Sequence, residues 1–208
     1  MKTLGIIIPY YKNTFESEKA FQELMKEINK QVTDDMILFV FEDGQLSPWL
    51  QEYNKDNIII TGSTINQGVG FARNQALNYL INKVNYILFI DSDDMVSSDY
   101  LKRIYNLAKK GDYEIIESSF YVNKSKVRFS KNVIRTGVAG TCLKTSIIGN
   151  IHFRESFQIG EDTRFMKDVI DLNKNKKVHA LCTYYYRRGI NPDSLTMKYQ
   201  RKEIGEKR

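Results

Sequence analysis

The chain has 208 residues, is 42% hydrophobic and 27% charged, and carries a formal net charge of +6; this is the content of one globular domain with room for a full core. No apolar run approaches the ~20 residues that a membrane-spanning helix needs, and the first run, residues 4–8, is cut off by Pro9 before it reaches signal-peptide length. Cys142 and Cys182 are too few for a disulfide framework and lack metal-ligand spacing, so they read as reduced thiols in a cytoplasmic protein.

In chain order, residues 4–8 form a short apolar run stopped by Pro9, which predicts a buried strand. Residues 18–30 place Ala20, Phe21, Leu24, Met25 and Ile28 at helical spacing. Residues 36–41 read as a second buried strand ending at Glu42-Asp43-Gly44, and residues 57–61 as a third. Residues 70–82 set Phe71, Leu77, Leu80 and Ile81 on one helical face, and residues 86–90 are a strand that runs directly into Asp91. Ser98 is the expected N-cap of the next helix, with Leu101, Ile104, Tyr105 and Ala108 as its stripe and Gly111 as its stop. The remainder is less regular. Residues 113–122, 127–129 and 178–186 read as strands, residues 161–170 as a helix with acids at its start, and the stretch after Pro192 as loop and frayed helix.

Strands alternating with helices predict an α/β domain, a mostly parallel central sheet with helices on both faces. Such sheets bind ligands beyond the carboxyl ends of their strands. Three polar clusters fall at those ends: Pro9-Tyr10-Tyr11, Glu42-Asp43, and Asp91-Ser92-Asp93-Asp94. Three carboxylates within four residues repel one another unless a cation sits among them, and Mg²⁺ or Mn²⁺ shares oxygen ligands with substrate phosphates. The alternative is an acidic turn capping the next helix. Residues 66–74, Asn-Gln-Gly-Val-Gly-Phe-Ala-Arg-Asn, enter a helix through Gly68 and Gly70, which suits an anion at the helix start but lacks the third glycine of a dinucleotide fingerprint. Arg73, one turn in, reads as a phosphate or carboxylate contact or as a surface ion pair. Glu161-Asp162 at a helix start is favourable on macrodipole grounds alone.

In this order the pieces resemble glycosyltransferase family 2, the inverting enzymes with a GT-A fold. Ile6-Ile7-Ile8-Pro9-Tyr10-Tyr11 resembles the family's opening strand, and Phe41-Glu42-Asp43-Gly44-Gln45 its Val-Asp-Asp-Gly-Ser. Asn66-x-Gly68-x-x-x-Ala72-Arg73-Asn74 matches its Asn-x-Gly-x-x-x-Ala-Arg-Asn, and Asp91-Ser92-Asp93 its Asp-x-Asp. Phe153 followed by Gly160-Glu161-Asp162 resembles its Glu-Asp motif, and Tyr184-Tyr185-Tyr186-Arg187 its late Tyr-x-Tyr-Arg strand. The resemblance implies one GT-A domain, with residues 1–95 binding a nucleotide-sugar, usually a UDP-sugar, and residues 96–208 forming a small acceptor half. It assigns Pro9, Tyr11, Asp43, Arg73, Asp91 and Ser92 to the nucleotide-sugar. Tyr11 would stack on the base, Asp43 would accept a hydrogen bond from it, and Arg73 would lie near base or diphosphate. Asp93 would bind Mn²⁺ or Mg²⁺, Asp162 would be the general base, and Glu161, Arg187 and Arg188 would contact phosphate or acceptor. His152 and His179 match no motif and read as structural. Glu42 and Gln45 depart from the pattern, and no Gln-x-x-Arg-Trp follows the Glu-Asp motif (Trp49 is the one tryptophan), which argues against a processive synthase.

Charge divides the chain. Residues 1–100 hold 8 Lys+Arg and 14 Asp+Glu, whereas residues 101–208 hold 23 and 11. A basic second half attracts anionic partners, or is a solvated lysine-rich surface. The expected activity is transfer of a sugar to an acceptor hydroxyl of a surface polysaccharide or glycolipid, with peripheral membrane contact compatible with the basic half. Two alternatives remain: a phage-type transferase acting on hydroxymethylated bases in DNA, and a non-catalytic nucleic-acid-binding module. A nucleotidyltransferase is disfavoured, because Pro9-Tyr10-Tyr11-Lys12-Asn13 stands where its glycine-rich loop belongs.

Overall fold

The computed structural model describes residues 1–122, 125–127, 136–156, 159–173 and 178–186, with residues 122, 125–127 and 178–186 as backbone. In chain order the elements are β1 (Lys2–Tyr10), α1 (Phe15–Gln31), β2 (Met36–Asp43), α2 (Pro48–Gln51), β3 (Ile58–Ser63), α3 (Val69–Leu80) and β4 (Val84–Phe89). There follow β5 (Met95–Val96), α4 (Tyr100–Lys110), β6 (Ile115–Val122), β7 (Ser125–Val127), β8 (Thr141–Lys144), α5 (Thr145–Ile148), α6 (Glu161–Leu172) and β9 (Val178–Tyr186).

Side chains alternate along each strand, and this builds two cores. On one face Leu4, Ile6 and Ile8 of β1 and Leu38 and Val40 of β2 meet Phe21, Leu24, Met25 and Ile28 of α1 and Leu101, Ile104 and Ala108 of α4. On the other, Ile7, Ile37, Phe39, Ile87 and Phe89 meet Ala72, Ala76, Leu77 and Leu80 of α3 and Phe165, Met166 and Val169 of α6. Each fully buried Leu, Ile or Phe contributes roughly 1.5–3 kcal/mol, so the helical stripes fix which face each helix covers. Helices on both faces of one sheet are the architecture that the sequence predicts.

One sheet runs β3-β2-β1-β4-β8-β6-β9-β5, with β7 paired to β6. The strands β3, β2, β1 and β4 are mutually parallel. Beyond β4 the pattern is mixed: β8 is antiparallel to both β4 and β6, while β6 and β9 are parallel. The predicted parallel sheet thus describes the first half, and the unpredicted β8 joins the second half to it.

Other differences are local. The helix expected after Ser98 starts one residue later, with Asp99 at the N-cap. Asp99 makes no capping bond because its carboxylate accepts from Ser97 Oγ at 2.9 Å and Arg103 Nε at 2.6 Å. At α1 the cap is Thr14, whose hydroxyl accepts the Ser17 N–H while Ser17 Oγ accepts the Thr14 N–H. The short elements α2, β5, β8 and α5 carry no periodicity that a sequence reading can use. Cys142 is a buried free thiol on β8, and burial raises its pKa, which leaves it unreactive. The stretch after Pro192 and the greater part of 127–129 lie outside the described residues.

Candidate active site

Because β2, β1 and β4 are adjacent and parallel, their carboxyl ends share one edge. Strand order reverses between β1 and β4: the chain continues from β1 to β2 and β3 on one side, then returns to place β4 on the other. Such a reversal of strand order is the place at which sheets of this kind bind ligands.

On the β2 side the residue at the edge is Asp43, 3% exposed. Its carboxylate accepts the Gln67 N–H at 2.9 and 3.0 Å and the Gly68 N–H at 2.7 Å. Burial pushes its pKa above the ordinary carboxylate range, and the two N–H groups offset part of that rise. A carboxylate has about four lone-pair sites, so Asp43 retains capacity for a further donor. Beside it Gly44, at φ 103, lies under the Tyr11 ring; a Cβ there would meet Tyr11 Cε2 at 2.8 Å. The ring of Tyr11 is 47% exposed and so presents a face toward solvent next to Asp43. Pro9 lies deeper, buried in β1 opposite Phe41. Lys12, which follows Tyr11, is tied to α1 by an ion pair with Glu18 at 2.8 Å, and Glu18 also accepts from Trp49 Nε1. Glu42, where the family motif has aspartate, points to the opposite face and accepts both the N–H and the hydroxyl of Ser47. Its role here is to hold the start of α2.

On the β4 side Asp91, Ser92 and Asp93 are partly exposed and Asp94 is 1% exposed. The turn is closed by the Asp94 N–H on Asp91 O at 3.1 Å. Arg73 approaches from α3, 4% exposed. Its Nη2 donates to Asp91 Oδ1 at 2.9 Å and its Nη1 to Glu161 Oε1 at 2.7 Å, with the guanidinium 5.3 Å from the Phe153 ring centre. Burial disfavours the Arg73 cation, and Asp91, Glu161 and Asp162 more than offset it, so its pKa lies above its usual value. Burial raises Glu161; Arg73 draws it down and Asp162 pushes it up. Of the readings that the sequence allows for Arg73, a phosphate or carboxylate of the site or a surface ion pair, the structure shows the carboxylate contact, as a buried double ion pair.

Asp162 stands at the start of α6, partly exposed, and accepts the Thr163 N–H on Oδ1 at 2.7 Å. Arg73, 88 residues before Glu161 in the chain, thereby brings the turn after β4 next to the Glu161-Asp162 pair. Asn74 does similar work one residue on. It donates to Phe153 O at 2.9 Å and Glu155 Oε1 at 2.8 Å and accepts the Phe153 N–H at 2.8 Å. Phe153 in turn stacks on Phe165 at 4.0 Å. Sequence reading gave Asn74 no role; its signal was a polar residue inside an otherwise buried helical face. His152 bonds Asn150 O and Asn78 Oδ1, a structural role as expected, whereas the side chain of His179 and all of Arg187 and Arg188 lie outside the described residues.

Among the described residues no three His, Cys, Asp or Glu side chains converge as a ready metal shell. A Mg²⁺- or Mn²⁺-type ion bound with a diphosphate needs only one or two protein carboxylates. The partly exposed carboxylates after β4 suit that donor set.

The description Glycosyl transferase family 2 matches residues 5–185. The chain is 24% identical over 179 residues to the poly(ribitol-phosphate) β-N-acetylglucosaminyltransferase TarP of Staphylococcus aureus (strain N315), covering 85% of this chain and 52% of that protein. It is 32% identical over 120 residues to a poly(ribitol-phosphate) β-glucosyltransferase of Bacillus spizizenii, covering 54% of this chain and 18% of that one. The chain thus spans about half or less of the length of these curated relatives. The crystal structure of S. aureus TarS 1-349 in complex with UDP superposes with a TM-score of 0.74 at 23% identity, covering 90% of this chain and 60% of that one, and so shares its fold. No helix among the described residues is long and apolar enough to cross a membrane.

Proposed function

The chain belongs to glycosyl transferase family 2, and from that membership we propose that it transfers a sugar from a UDP-sugar to a hydroxyl of a phosphate-bearing polyol polymer. The observation that carries this reading is the Arg73 bridge, which sets Asp91 on the donor side beside Glu161-Asp162 on the other. Tyr11 and Asp43 form the base end of the site, an exposed ring face beside a buried carboxylate that retains acceptor capacity. Asp93 would hold Mn²⁺ or Mg²⁺, which when bound supplies positive charge to the departing diphosphate.

Asp162 is the general base of this reading. The acceptor oxygen forms its bond to the anomeric carbon as the bond to the diphosphate breaks; the electron pair leaves with the diphosphate and the hydroxyl proton passes to Asp162. Attack from the side opposite the leaving group inverts the anomeric centre. The acceptor class is supported by the names of the relatives, which act on poly(ribitol-phosphate), and by the basic second half, which favours a polyanion.

The test is nucleotide release from a set of UDP-, GDP- and TDP-sugars, with and without Mn²⁺, and with poly(ribitol phosphate) as acceptor. Release is expected from a UDP-sugar, dependent on the cation and raised by the polymer. Asp162→Asn is expected to lower transfer by about 10²–10⁴-fold while UDP affinity stays within twofold. Release indifferent to the cation removes the metal from the reading, and equal loss of UDP affinity and transfer removes the general base.

A further inference from the structure

Glycines in this chain divide by what demands them. Gly44, Gly68, Gly111, Gly140, Gly149 and Gly160 have positive φ, where a side chain is strained. Gly5 and Gly62 lie where an added Cβ would meet neighbours at 3.0 and 2.1 Å. Gly70, inside α3, fits neither group, its Cβ meeting only ordinary contacts from 3.6 Å outward; the other such glycine among the described residues is Gly137. Its φ lies outside the left-handed region, and within 4 Å its Cβ would meet one atom among the described residues, Oδ2 of Asp162 at 3.2 Å.

The segment bearing Gly137 is pinned. Val138 is fully buried, Gly140 donates its N–H to Phe89 O at 2.8 Å, and Thr141 donates its N–H to Val138 O at 2.8 Å. The Thr141 hydroxyl reaches back to Gly137 O at 3.4 Å. A side chain at 137 is therefore not absorbed by movement of the loop. Asp162 Oδ1 is occupied by the Thr163 N–H, so Oδ2 is the oxygen that faces Gly137. Both residues are partly exposed.

We propose that the missing side chain at Gly137 is the seat of the acceptor: the carbon that bears the attacking hydroxyl lies over Gly137 Cα, with its oxygen within hydrogen-bond reach of Asp162 Oδ2. A base must stand ~2.6–3.2 Å from the proton-bearing oxygen it serves; a methyl group at 137 takes the room of the carbon behind that oxygen, which an acceptor alcohol has and water lacks. Gly137 is then a positioning residue that admits a bulky alcohol, and a side chain there discriminates against the alcohol while sparing water, which needs the least room. This rests on Asp162 being the general base.

The experiment compares Gly137→Ala and Gly137→Ser with wild type, using the UDP-sugar that wild type turns over. Sugar transfer to poly(ribitol phosphate) is measured beside donor hydrolysis by water, UDP affinity and thermal melting. Transfer is expected to fall at least about tenfold in the Ala variant and further in the Ser variant, given that a 1 Å misplacement costs up to ~10²-fold. Hydrolysis and UDP affinity are expected to stay within threefold, so the ratio of hydrolysis to transfer rises. Transfer and hydrolysis falling together, or transfer unchanged, overturns the seat. Transfer retained by Asp162→Asn, or no transfer by wild type, overturns the underlying reading instead. A large fall in melting temperature for both variants shows that the glycine is needed for folding and likewise overturns the proposal.

Discussion

Asp43 and Asp91 stand on the same sheet edge, one strand apart, yet they are held by different means. Asp43 is fixed by two backbone N–H groups from the loop after β3, all within the first half of the chain. Asp91 is fixed by the tip of one buried side chain, Arg73, whose other nitrogen holds Glu161 from the second half. Backbone donors are kept in place by the fold around them, whereas a guanidinium fork depends on one residue. The Asp43 side of the edge is thus a property of the parallel sheet, and the junction with the second half is a property of Arg73.

The largest expected effect tests the junction. Arg73→Ala leaves Asp91 and Glu161 without their cation, and unfolding in urea should show a loss of about 3–5 kcal/mol, the usual cost of breaking a buried pair. Arg73→Lys keeps the charge but not the fork and should recover only part of it. A loss near zero for the Ala variant would erase the distinction between the two regions.

Asp43→Asn comes next, with a loss of about 1–3 kcal/mol as its bonds to the loop weaken. This variant also carries a pH signature. Burial sets the folded pKa of Asp43 above its unfolded value. Its contribution to stability is therefore full below the ordinary carboxylate range and lost as pH rises through the raised value. Asparagine does not titrate, so the stability gap between wild type and Asp43→Asn should narrow as pH rises across that window. A gap that widens would reverse the sign of the shift. The smallest effect belongs to Tyr11→Ala. Its ring is half exposed, so stability should be unchanged, while UDP affinity should fall about tenfold, at the lower end of the ~1–3 kcal/mol that base stacking contributes. Unchanged affinity would move the base away from Tyr11.

How much of this was legible along the chain varies by element. The apolar runs that became β1, β2 and β4, and the stripes of α1, α3 and α4, follow from local periodicity, and the acids at strand ends follow from where those runs stop. The four-residue strand β8 was missed because Thr-Cys-Leu-Lys is too short to show alternation. With it went the change from a parallel to a mixed sheet. Asn74 and Phe153 were legible only as matches to a family pattern, and their mutual hydrogen bonds were not legible at all.

From sequence alone came the α/β alternation, the two-faced sheet and the identity of the carboxylates at its edge, because each depends on residues within a few positions of one another. Tertiary structure alone decided that Arg73 is buried between Asp91 and Glu161, and that Gly137 faces Asp162. Those contacts span 18, 88 and 25 residues, and the longest of them joins the second half, which β8 brings back beside β4, to the first. No local pattern encodes such a contact, since its energy depends on which strand ends become neighbours.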